Sequence, residues 1–89
     1  VTKPRLTTSQ VFRVLLRDHY TCAYCEFPAV GVDPVVPFRG GGSDADGNLV
    51  AVCERCRSFA TGPATFTGLA DKREYILARR RPEIARLRK

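Results

Sequence analysis

The sequence predicts a small α+β domain, and three observations carry that prediction. Two Cys-x-x-Cys pairs, CAYC (Cys22, Cys25) and CERC (Cys53, Cys56), bracket a valine-rich stretch punctuated by prolines. That stretch, AVGVDPVVPF, has the β-branched composition of short strands. Segments with helical spacing of apolar residues flank the bracket on both sides. The 89 residues make one domain, and a core of that size is marginal without a further staple.

Residues 1 to 7 are polar with an early Pro4 and are expected to fray. From Thr8 or Ser9 as N-cap, QVFRVLLRDH repeats Val11/Leu15 and Phe12/Leu16 at helical spacing, with Arg13 and Arg17 on the other side, so a helix is predicted over 8–19. YTCAYCEFPA forms the first cysteine knuckle. AVGVDPVVPF reads as one or two strands bent at Pro34 and Pro37, neither of which can donate to a ladder. RGGGSDADGN is a loop with turn residues Asp46, Gly47 and Asn48. LVAV extends into the second knuckle, and CERCRSF opens a helix that Gly62 and Pro63 break. LADKREYILARRR predicts a last helix over 68–81. Its expected inward residues are Leu69, Tyr75, Ile76 and Leu77, and its outward ones Lys72, Arg73, Arg79, Arg80 and Arg81. Pro82 is expected to stop or kink it before a basic tail, 82–89.

The cysteine pairs decide the staple. Two such pairs separated by an intervening segment match a tetrahedral four-thiolate zinc site with Cys22, Cys25, Cys53 and Cys56 as ligands, although the separation exceeds the commonest zinc spacing. Disulfides would instead predict a secreted chain. The N-terminal VTKPRLTTSQ has no apolar run of the export type and nothing approaches membrane-spanning length, so a reducing, cytoplasmic setting without membrane contact is expected. A thioredoxin-type redox pair is a third option, against which the missing βαβ pattern counts. The 22–57 segment is thus expected to fold around structural zinc.

A net charge of +6 and a pI near 9.6 favour a polyanionic partner, because basic side chains release condensed counterions when they meet phosphates. Nucleic acid is the first candidate; a merely soluble basic protein is the bland alternative.

Taken together, VLLRDHYTCAYCEFPAVGVDPVVPFRGGGSDADGNLVAVCERCR, from Val14 to Arg57, resembles the HNH endonuclease family in its four-cysteine, zinc-stapled branch. Order is kept as well as composition: Arg-Asp before Cys-x-Tyr-Cys, then Asp-x-Val-x-Pro, Arg-Gly-Gly, Asn-Leu-Val and Cys-x-x-Cys. The resemblance implies a ββα-metal core of treble-clef type, in which a strand and a helix clasp a divalent cation beside the scissile phosphate. It also places Asp33 at the carboxylate ligand of that cation and Asn48 at the asparagine that orients the active-site loop.

Two positions depart from the family pattern. A histidine follows the aspartate in active relatives and activates water; here Pro34 stands there and cannot accept a proton. A His or Asn cation ligand follows the last cysteine; here Arg57 stands there, and a guanidinium repels a cation. His19 is the lone histidine, so a surviving histidine mechanism must use it with Asp33, Asn48 and Mg2+ or Mn2+. Its bland reading is a helix-terminal side chain.

Arg39, Arg57 and the run Arg79, Arg80 and Arg81 are the candidate phosphate contacts, although adjacent residues of a helix point in different directions. Tyr24, Phe59 and Phe66 read as packing residues. The expectation is therefore a catalytically degenerate HNH-like zinc protein binding duplex DNA with low sequence specificity. An active HNH nickase and a protein-interaction module on the same scaffold are its two alternatives.

Overall fold

The computed structural model describes residues 6–60, 66 and 68–87. Helix α1 (Thr8–Arg17) leads to strand β1 (Gly31–Pro34), two short 3-10 turns (Phe38–Gly40 and Asp46–Asn48), strand β2 (Leu49–Val52), helix α2 (Glu54–Phe59) and helix α3 (Leu69–Leu87). The result is a small α+β fold with a two-stranded sheet. Of residues 1 to 7, expected to fray, 1 to 5 lie outside the described residues while Thr7 is held as a helix cap, and the break at Gly62 and Pro63 also lies outside them.

The N-cap of α1 is Thr7, one residue earlier than the sequence suggests: its hydroxyl accepts the Gln10 amide at 3.0 Å. The helix ends at Arg17, short of the predicted residue 19. Asp18 caps it, and His19 and Tyr20 both turn left-handed, at φ 56° and 54°. The Tyr20 amide reaches back to the Leu15 carbonyl at 2.8 Å and the His19 amide to Leu16 at 3.1 Å, which is the hydrogen-bond pair of a Schellman stop.

Strands β1 and β2 pair antiparallel, from Gly31 opposite Val52 to Pro34 opposite Leu49. Pro34 falls at the end of its strand, where a missing amide donor is tolerated. All four β2 residues are buried because both faces of the hairpin are covered. Ala51 and Val32 meet Leu15 and Val11 of α1, while Val50 and Val52 meet the cysteines, Tyr24 and Ile76 of α3. Asp33 therefore projects onto the α3 side, opposite to α1.

Polar ties fix α1 to the hairpin. Arg17 donates to the Leu49 carbonyl at 2.6 Å and to the Asp46 carbonyl at 3.0 Å, and the Asp18 carboxylate accepts the Ala51 amide at 2.9 Å. Hydrogen bonding from Arg17 holds the Asp18 carboxyl below its usual range, and Arg13 does the same for Asp46.

Two amphipathic readings are corrected by the structure. In α1, Val14 and Leu15 are buried, while Phe12 and Leu16 stay 52% and 64% exposed. In α3 the fully buried line is Lys72, Ile76 and Arg80, spaced by four, and Leu69 is 40% exposed. Tyr75 and Leu77 pack at the edge of the core. The helix also runs through Pro82 to Leu87, so the predicted stop at Pro82 and the tail over 82–87 are corrected. Pro82 cannot donate to the Ala78 carbonyl, but Ala78 is exposed and water can serve it. Among the described residues, no helix is long and apolar enough to cross a membrane.

Candidate metal centre and the Asp33 cleft

The four cysteines converge as their spacing predicts. Cys22, Cys25, Cys53 and Cys56 are buried, are not disulfide-bonded, and place their sulfurs within 4.8 Å of one another. The first knuckle is closed by the Cys22 amide donating to Phe27 at 2.7 Å and the Glu26 amide to Cys22 at 3.0 Å, with Glu26 left-handed at φ 68°. In the second, Cys53 is the N-cap of α2 and its sulfur accepts the Cys56 amide at 3.4 Å. Four soft donors meeting from two tight turns form a site able to hold a metal ion.

Arg80 brings a positive charge against that site. It is 1% exposed, and its guanidinium donates to Cys56 Sγ at 3.2 Å, to Cys53 Sγ at 3.5 Å and to Glu83 at 2.6 Å. Burial opposes its charge, but the bonds to Cys56 and Glu83 outweigh burial and raise its pKa above the ordinary value. A buried guanidinium between two sulfurs favours their anionic form, and four thiolates around one divalent ion would leave two negative charges for it to offset. Glu83, bonded by Arg55 and Arg80, has its carboxyl pulled down to about 2. Within the coupled pair, their mutual hydrogen bond draws the Cys22 thiol down and pushes the Cys56 thiol up.

The expected placement of Arg80 as an outward phosphate contact is thus overturned. Its neighbours do face outward. Arg79 stacks 3.5 Å over the Tyr75 ring, and Arg81 is exposed beside Leu77 and Arg73.

Asp33 is also buried, at 8% exposure, and engaged. Its Oδ2 accepts the Tyr24 hydroxyl at 2.6 Å and the Lys72 ammonium at 2.8 Å. The same Lys72 Nζ donates to the Pro34 carbonyl at 2.6 Å and lies 5.5 Å over the Phe66 ring. Burial pushes the Tyr24 phenol well above its ordinary range, so it remains a neutral donor. Lys72 was expected outward; instead it is 1% exposed and forms the ion pair at the bottom of the Asp33 cleft. The cleft is a cavity of about 240 Å³ whose lining includes Asp33, Pro34, Phe38, Arg39 and Lys72.

Arg57 lies on the same face of β1. Its guanidinium covers Gly31, where a Cβ would collide with it, and it pairs loosely with Glu54 at 3.9 Å. Asn48 braces the loop over the cleft: its carboxamide accepts the Val36 amide at 2.9 Å and donates to the carbonyls of Val36 and Ser43 at 3.0 and 2.7 Å. It therefore does more than occupy a turn.

His19 is not brought to Asp33. It is exposed at the end of α1, the helix that covers the opposite face of the hairpin. Its left-handed backbone costs a residue with a Cβ about 1–2 kcal/mol. We expect His19→Gly to leave the melting temperature unchanged or to raise it, offset in part by the unfolded-state entropy of glycine; a thermal melt checks this.

Sequence reasoning missed Glu83 and the inward roles of Lys72 and Arg80. Their signal was present: Lys72 and Arg80 flank Ile76 at i±4, so an inward Ile76 carries both inward. No protein-family model matches the chain, and no curated protein matches it.

Proposed function

We propose that this chain is a zinc-stapled, HNH-endonuclease-like protein that holds duplex nucleic acid on basic side chains and does not cleave it. The observation that carries the reading is the state of Asp33: its carboxylate is neutralised by Lys72 and bonded by Tyr24. Beside it, Pro34 offers only a carbonyl and Arg57 brings a second positive charge to the same strand face. Hydrolysis of a phosphodiester needs a proton acceptor and a cation on the reacting oxygens. Among the described residues lining this cleft, the Asp33 carboxylate is already committed to Lys72 and Tyr24, and a cation would meet the charge of Lys72. A surface that has lost both still attracts phosphate.

Zinc is the metal that suits the cysteines. With zinc–sulfur bonds of about 2.3 Å, the sulfurs of a tetrahedron lie about 3.8 Å apart, and Cys25 and Cys53 are 3.6 Å apart. Four thiolates close its coordination shell, so the metal staples and leaves no open position for an activated water.

With Arg80 buried, the outward candidates are Arg39, Arg57, Arg79 and Arg81. Four phosphate contacts give a log–log salt slope of about −4. The test combines duplex-DNA binding across a salt series with plasmid nicking in Mg2+, Mn2+ and Ni2+. Expected are binding at low salt with that slope and an intact plasmid. Absence of binding at low ionic strength would overturn the binding half. Cation-dependent nicking that disappears in Asp33→Ala would overturn the other.

A further inference from the structure

The arrangement around Lys72 carries a further step. Three oxygens converge where its side chain ends: Asp33 Oδ2 and the Pro34 carbonyl within 2.8 and 2.6 Å of Nζ, and the Tyr24 hydroxyl bonded to the same Asp33 oxygen. A buried carboxylate beside a backbone carbonyl is oxygen chemistry suited to a hard cation, and it borders a cavity large enough for water. The positive charge bound to these oxygens comes from Lys72 of α3. We infer that Asp33 and the Pro34 carbonyl form a latent divalent-cation site, which the Lys72 ammonium fills from within and keeps closed to metal.

Electrostatics favours the tenant already present. A tethered ammonium needs no desolvation from bulk water once α3 is docked, whereas Mg2+ and Mn2+ shed hydration reluctantly and would have to expel it. An ammonium and a divalent ion on the same carboxylate oxygen would repel each other strongly at such distances. The inference deepens the reading of Asp33 as a disabled position, but its test reads ion binding and not nucleic acid. Failure of one therefore does not entail failure of the other.

The test titrates Mn2+ into the intact, metal-loaded chain and follows free Mn2+ by electron paramagnetic resonance, with a thermal melt in parallel. Mn2+ prefers oxygen donors and does not compete for four thiolates. The wild-type chain is expected to bind no Mn2+ at the cleft. Lys72→Ala, which opens the space and leaves the carboxylate, should bind one ion per chain, and its Tm should rise by about 5 °C or more at tenfold excess over Kd. Lys72→Met, which fills the space with an apolar side chain, and the double variant D33N/K72A should bind none.

One-to-one binding by the wild-type chain that Asp33→Asn abolishes would overturn the inference, as would a folded Lys72→Ala chain that binds nothing. Should Lys72→Ala fail to fold, amine labelling of the wild-type chain decides. Of Lys3, Lys72 and Lys89, Lys72 should stay unmodified with or without millimolar Mn2+. Mn2+-induced labelling of Lys72 would show that the ion can displace it, and the closed site would be disproved.

Discussion

Removing the metal from Cys22, Cys25, Cys53 and Cys56 is expected to unfold the chain outright. These cysteines are four of the ten buried residues of the larger core cluster, so the staple lies in the core itself. Structural zinc in such a setting binds with about 10–16 kcal/mol, while a small domain has about 5–15 kcal/mol of total stability. The metal term is as large as the whole, and no remaining interaction can replace it. The buried apolar residues beside the cysteines are Val35, Val50, Val52, Ala60, Ile76 and Tyr24, and the larger side chains Phe27, Phe59, Tyr75, Leu77 and Ile84 are only partly buried against them. A strong chelator at neutral pH should abolish the helical circular-dichroism signal, and one equivalent of zinc should restore it. Cys56→Ser should behave as the stripped chain does. Acid acts by the same route, since protonated thiols release the metal. Glu83 adds to that transition: its contribution is full above the ordinary carboxylate range and is lost progressively as pH falls from that range through about 2. A cooperative, native-like melt in a chain shown to be metal-free would refute this account.

What could be read from the sequence was periodicity and spacing. Val11 and Leu15 mark α1, the LVAV run marks β2, and the two Cys-x-x-Cys pairs mark the knuckles, because each pattern follows from backbone geometry. What could not be read was where charge goes inside. A helical wheel assigns lysine and arginine to the solvent, since a lone buried cation is costly. Lys72 and Arg80 escape that rule because anionic partners wait for them, a carboxylate on β1 and thiolates in the knuckles. Both partners are distant in sequence. Leu69 and Leu16 were assigned inward for the converse reason: their apolar character is visible in the sequence, but the area available to bury them is not. The same holds for Pro82, whose local cost to a helix is plain while the packing of Ile76 and Ile84 on the core is not.

Replacing Arg80 with methionine is expected to weaken metal binding by about 10–100-fold and to destabilise the fold by about 3–5 kcal/mol, the usual cost of breaking a buried ion pair from one side. Two thiolates lose their shared guanidinium, and the cluster's excess negative charge is left facing Glu83, which keeps only Arg55. The unpaired Nε of Arg80 moderates the loss, because that buried donor has no hydrogen-bond partner within the protein. Arg80→Lys should recover part of the affinity: an ammonium can reach one sulfur or Glu83 but lacks the planar fork that serves both. A competition titration against a zinc-chelating dye, with a thermal melt, measures both effects, and wild-type metal affinity in Arg80→Met would sink the assignment. Arg81→Met is the informative partner. It sits one residue away on the exposed face, so it should leave metal affinity unchanged and reduce the salt slope of DNA binding by about one. Arg80→Met, loaded with metal and folded, should keep that slope. Opposite responses from adjacent arginines would separate the cation that holds the cysteines from the one that meets phosphate, a distinction that neither charge nor sequence position provides.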